Sequence, residues 1–159
     1  MSERKDKLRQ TIQADNAASL AIFKRLTADQ WERPVPSDEG ADWKARDVLN
    51  HAAISESGQL VVIQRLLAGQ GGVPEDFDIN RYNRRSVQKQ AERTVEEMLA
   101  AIARDHAQVL AALEGVSEAD LDKIGRHARG DTLSVAQFFN RITEHRRQHA
   151  QELAKNLGL

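Results

Sequence analysis

Three histidines carry the chemistry that can be read in this chain: His51 in the second helical segment, and His145 and His149 one helical turn apart in the last. Each falls on or beside the apolar stripe of its helix, where a bundle would place Leu or Val. Three imidazoles converging on one interior point would hold a divalent ion. With three protein ligands that ion keeps open positions for water or substrate, the arrangement of a catalytic site rather than a structural one. The four-residue spacing puts His145 and His149 on one helix face. Their neighbours Glu144, Arg146, Arg147 and Gln148 are polar, while the stripe runs on from Phe138 and Ile142 to Leu153. The competing reading of the pair is two solvent-facing or core-satisfied histidines. For His51 taken alone it is a packed or hydrogen-bonded histidine.

Other groups can be placed around this trio. His106 occupies a core position of the third segment: a fourth ligand, a partner of a ligand, or a half-buried histidine with its tip in water. His127 lies in the loop Arg126-His127-Ala128-Arg129-Gly130 and is expected at the surface, with the lining of a substrate pocket as its alternative. Glu144 is turned roughly 100° from His145 on the helix and is no co-ligand if both histidines bind. Glu56 sits five residues after His51, off its face, and both carboxylates are expected to face solvent unless one orients an imidazole. The arginine-rich stretches, Arg81 to Arg85 and Arg146-Arg147, read as solvated faces, with an anionic substrate as the alternative.

These side chains need a scaffold, and the helical period supplies it four times. Segment one, about 3–27, carries Leu8, Ile12, Ala18, Ile22, Phe23 and Leu26. Segment two, about 43–69, carries Val48, Ala52, Val62, Ile63, Leu66 and Leu67, with Asp42 as its expected N-cap and Gly69 near its end. Segment three, about 84–114, alternates Val95, Leu99, Ile102, His106, Val109 and Leu113 by threes and fours until Gly115. Segment four, about 132–157, carries Leu133, Phe138, Ile142, Leu153 and Leu157, capped by Thr132 or Asp131 and followed by Gly158.

Strand signals are nearly absent. The connections run to about 12–18 residues each, long for an up-down bundle, and so permit crossovers. In the first of them, from Ala28 to Ala41, Trp31 is expected to fold over a bundle end. The expectation is one all-α four-helix bundle domain, residues 1–159, with long crossover connections.

Composition narrows the partners. A net charge of −1 with interspersed signs gives no basic footprint, and 4% aromatics are too few for a stacking platform, so no nucleic-acid partner is expected. There is no cysteine, so a metal must be held by nitrogen and oxygen, and any thiol chemistry needs a thiol from a cosubstrate. The charged start, Met1-Ser2-Glu3-Arg4-Lys5-Asp6, leads into no apolar run, and none elsewhere reaches the roughly 20 residues of a membrane span. A soluble cytoplasmic protein is expected.

The order of three short motifs resembles the DinB/YfiT-like superfamily, which includes thiol-dependent S-transferases and a mycothiol-dependent maleylpyruvate isomerase. Asp42-Trp43-Lys44-Ala45-Arg46-Asp47-Val48-Leu49-Asn50-His51 resembles the family's tryptophan-to-histidine stretch at the start of helix two. Phe77-Asp78-Ile79-Asn80-Arg81-Tyr82-Asn83 resembles the segment leading into helix three, and Asp131-Thr132-Leu133 with His145-x-x-x-His149 resembles the last helix. The resemblance implies a four-helix bundle with crossovers, a homodimer, and a divalent ion, Zn or Ni foremost and Fe or Mn next, on His51, His145 and His149. Three functions follow as alternatives. The first is a metal-dependent transferase for a low-molecular-weight thiol and an electrophilic small-molecule substrate. The second is a hydrolase using metal-bound water, with Glu56, His106 or His127 as general base. The third is a non-enzymatic, dimeric metal-binding stress-response bundle.

Overall fold

Local capping chemistry sets where each helix begins. The computed structural model describes residues 2–37 and 42–159; Met1, and Ala41 at the end of the first connection, lie outside the described residues. Ser2 accepts from the Lys5 N–H at 3.1 Å and starts α1 (Glu3–Phe23). Thr27 caps a single helical turn, α2 (Ala28–Trp31), which seats Trp31 against Phe23 with ring centroids 6.2 Å apart at the end of α1. The strands β1 (Pro34–Val35) and β2 (Trp43–Lys44) pair antiparallel across the next turn. The helix that follows, α3 (Ala45–Leu67), has Lys44 and not Asp42 as its N-cap, because the Asp47 carboxylate accepts from the Lys44 N–H at 2.9 Å.

The expected third segment is two helices. Asp78 accepts from the Arg81 N–H at 3.0 Å and starts α4 (Ile79–Lys89); Thr94 accepts from the Glu97 N–H at 3.1 Å and starts α5 (Val95–Gly115). A new capping residue restarts the helical ladder, so the continuous polar stretch ahead of Val95 belongs to a separate element. After a 3-10 turn at 120–122, β3 (Ile124–Arg126) and β4 (Thr132–Ser134) form a second hairpin. Ser134 rather than Thr132 or Asp131 caps α6 (Val135–Leu157), and Gly158 ends it in the left-handed region at φ 71°. Both hairpins are too short to leave the period-two pattern by which a strand is read from sequence.

α1, α3, α5 and α6 form the bundle, and its core has two apolar clusters. One gathers Leu8 and Ile12 of α1, Leu60 and Ile63 of α3, Val109 and Leu113 of α5, and Phe138 and Ile142 of α6. The other gathers Phe23, Leu49 and Ala53, Met98 and Ile102, and Ala150 and Leu153 from the same four helices. Followed in residue order, α1 and α6 run from the first cluster to the second, whereas α3 and α5 run from the second to the first. The order is therefore up, down, down, up. Two successive helices in one direction require a return crossing, and the segment carrying α4 makes it, as the long connections predict.

Between the clusters lies a polar layer. Asp15 and Ser19 of α1, Glu56 of α3, Asp105 of α5, and Thr143 and Arg146 of α6 are all buried. Arg146 is its hub. Its Nε and Nη2 donate to the two Glu56 carboxylate oxygens at 2.9 and 3.0 Å, and Nη1 donates to Asn16 at 2.6 Å and Ser19 at 3.0 Å. Neither Arg146 nor Glu56 exposes any side-chain surface. The sequence expectation of solvated faces for both is wrong, because each supplies the other's counter-charge and together they can leave water.

Candidate metal centre

α3 and α6 pack against each other, and the Arg146–Glu56 pair ties them together one residue beyond His145 and five beyond His51. That tie fixes the register at which the two helices present their histidines. His51 is buried, while His145 and His149 are half-buried on the wall of a cleft of about 550 Å³. One nitrogen from each of the three rings lies within 4.8 Å of the others. The ring centroids are 5.1 Å apart for His51 and His145, 4.9 Å for His51 and His149, and 4.4 Å for His145 and His149.

The donor set suits a divalent ion. The Nε2 atoms of His145 and His149 face each other at 3.1 Å, and two nitrogens on one tetrahedral ion at 2.0–2.1 Å stand about 3.3 Å apart. The far side of the His149 ring meets Glu152, with Nδ1 3.3 Å from the carboxylate. A proton held at Nδ1 leaves the lone pair on Nε2, pointing at His145, which is how a carboxylate orients a histidine ligand. Burial, followed by the neighbouring His149 and His51, holds the His145 pKa well below the usual histidine range. His145 is therefore neutral at pH 7, the form that binds metal. Trp43, buried just ahead of α3, packs against His51 with centroids 5.4 Å apart and the ring planes tilted by 37°, which limits the freedom of that ring.

The other candidates separate. His127 is buried, not at the surface, and lines the cleft. Its ring packs on Phe138 at 5.6 Å, and Nδ1 accepts from the Arg129 N–H at 3.3 Å. Burial lowers its pKa, with Arg141 acting in the same direction. His106 stays out of the histidine group; it belongs to the polar layer on α5, where burial and then the Arg146 charge lower its pKa. Glu56 is committed to Arg146. Glu144, expected in solvent, lines the cleft and reaches Arg147 only at 4.0 Å. Glu152 was missed in the sequence, although its place three residues after His149 is the available signal. Ser55, Gln59, Asn83, Arg129, Arg141 and Gln148 complete the polar wall. Asn83 comes from α4, which the sequence reading splits between the approach to segment three and that segment's first residues.

Residues 11–153 match the sequence pattern of the DinB superfamily. The chain belongs to that superfamily. Among curated protein sequences none matches it. Solved structures give this DinB-superfamily chain relatives in fold. The colibactin self-resistance protein ClbS, determined in complex with double-stranded DNA, aligns with a TM-score of 0.78 over 98% of this chain and 96% of its own, at 13% identity. YfiT from Bacillus subtilis, described as a probable metal-dependent hydrolase with an unusual four-helix bundle topology, aligns with a TM-score of 0.68 at 19% identity, covering 99% and 90%. A Streptococcus pneumoniae protein aligns with a TM-score of 0.66 at 16% identity, covering 99% and 93%.

At these identities the likeness establishes the bundle and its topology. It also corrects one expectation. The exclusion of a nucleic-acid partner does not stand, since a bundle of this fold has been determined with DNA. Net charge averages over the whole surface and says nothing about one local face. Neither the thiol nor the homodimer expected for this DinB-superfamily chain is borne out by these relatives. Among the described residues no helix is long and apolar enough to cross a membrane.

Proposed function

We propose that His51, His145 and His149 hold a divalent metal ion and that the chain is a metal-dependent hydrolase acting on a small molecule. The observation that carries this reading is the convergence of three imidazole nitrogens within 4.8 Å on the wall of an open cleft. A bound ion would supply a Lewis acid that lowers the pKa of a water or thiol brought to it. The protein's own groups do the rest. Glu152 orients His149. Of the two carboxylates lining the cleft it is the committed one, which leaves Glu144 to take the proton from the attacking nucleophile. Burial favours the neutral form of His127, and its Nδ1 lies between the Arg129 N–H at 3.3 Å and the Asp131 carboxylate at 3.4 Å. Lining the cleft, its ring is placed to hydrogen-bond a substrate oxygen as negative charge develops.

The thiol-transferase reading uses the same centre and differs only in the nucleophile. YfiT's description as a probable metal-dependent hydrolase and the carboxylate of Glu144 on the cleft wall support water as the nucleophile. The test is turnover of a panel of activated esters and amides by protein reconstituted with Zn, Ni, Mn or Fe, with and without a small thiol. The proposal expects metal-dependent turnover without thiol, a fall in kcat of about 10²–10⁴-fold in Glu144→Gln, and full metal content in that variant. Turnover that needs the thiol would replace hydrolysis with transfer.

A further inference from the structure

A second cavity of about 430 Å³ adjoins the histidine cleft. The two share part of their lining: Ser55, Gln59, Ile79, Asn83, His127 and Ala128 belong to both. The chemistry changes across that shared wall. On one side are the three histidines with Glu144, Arg129 and Arg141; on the other are Val61, Val62, Val73, Pro74, Phe77 and Tyr82, with Arg65 the one charged side chain among the described residues lining that side. Val61 and Tyr82 are large apolar side chains left 52% and 41% exposed, and Phe77 and Tyr82 stand ring to ring at 5.3 Å. Two contacts hold the chain in this shape. Val73 donates its N–H to the Arg126 carbonyl at 2.9 Å, which docks the segment after α3 on the β3 hairpin. Gly72 allows the approach, since a Cβ there would stand 2.5 Å from the Arg126 oxygen.

We propose that this cavity is the specificity subsite of the histidine centre and that the substrate is amphipathic. Its apolar group, an alkyl chain or a single ring, sits among Val62, Phe77 and Tyr82, and its polar, reacting end lies at the histidines. Three features argue for one ligand spanning both. The cavities share a wall, the apolar volume lies within the range of small-molecule sites, and a few polar groups at the junction can fix orientation. The inference rests on the metal-dependent reading of the cleft.

The test uses hydroxamates as probes, because a hydroxamate chelates a metal through its polar end and accepts any tail. Zinc-loaded protein is titrated calorimetrically with acetohydroxamate, hexanohydroxamate and 4-phenylbutanohydroxamate. In parallel, amide signals of the metal-free protein are followed by NMR as 4-phenylbutanol is added. The expected result is tighter binding of both tailed hydroxamates than of acetohydroxamate, by about tenfold or more. The ratio should fall towards one in Phe77→Ser and Tyr82→Ser, whose positions lie outside the buried core. Phenylbutanol should shift the signals of Val61, Val73 and Tyr82 without any metal. Binding of all three hydroxamates with equal affinity would overturn the subsite and leave the metal centre standing. No binding by any of the three hydroxamates would overturn the metal centre, and unshifted signals with phenylbutanol would overturn the subsite.

Discussion

At the scale of single residues, the centre depends on groups that hold imidazoles as much as on the imidazoles themselves. His149 is aimed by Glu152 through Nδ1, and His51 packs against the Trp43 ring. Carboxylates behind histidine ligands fix the tautomer and raise ligand basicity, and their loss costs about 10–100-fold in metal affinity. Glu152→Gln should therefore weaken zinc binding by that factor in a chelator competition, with helical content unchanged. Unaltered affinity would assign Glu152 to the surface. The trio itself was legible because histidines on an apolar stripe stand out from Leu and Val. His127 and Glu144 were not, since a loop histidine and a helix carboxylate take their surroundings from elements distant in sequence.

At the scale of elements, the polar layer decides how α3 and α6 meet. Removing one partner of a buried ion pair strands the other's charge away from water, at a cost of about 3–5 kcal/mol. Arg146→Met should destabilise the bundle by that amount in urea unfolding, and adding Glu56→Leu should recover most of the loss. Glu56 also gives the layer a pH dependence. Burial raises its pKa to about 6 against an ordinary 4.5, outweighing the nearby Arg146 charge. The folded state thus binds the proton more tightly than the unfolded chain, and Glu56 favours folding most below pH 4.5. Its contribution falls as pH rises from 4.5 to 6 and is constant above. The shift corresponds to about 2 kcal/mol. The stability difference between wild type and Glu56→Gln should drop by about that amount from pH 4.5 to pH 7, and an unchanged difference would remove Glu56 from the account. Helical periodicity found α1, α3, α5 and α6, because each buries one apolar stripe. It could not separate α4 from α5, since the break depends on the Thr94 cap rather than on any apolar residue. Nor could it place Glu56 and Arg146 inside, because burial of either charge depends on a partner 90 residues away.

At the scale of the whole molecule, the up, down, down, up order brings α3 and α6 side by side, and the histidines with them. Two apolar clusters and the Arg146 hub hold that arrangement without help from an ion. Chelation should therefore leave cooperative unfolding and far-UV helicity intact, in contrast to a structural site, whose loss unfolds the domain. The central claim is the shared ion, and elemental mass spectrometry of untagged protein tests it most directly. Wild type offered zinc or nickel should carry about one divalent ion per chain, and His51→Ala, His145→Ala and His149→Ala should each lose it while remaining helical. Wild type without a stoichiometric ion, or an ion retained by all three variants, would contradict the account.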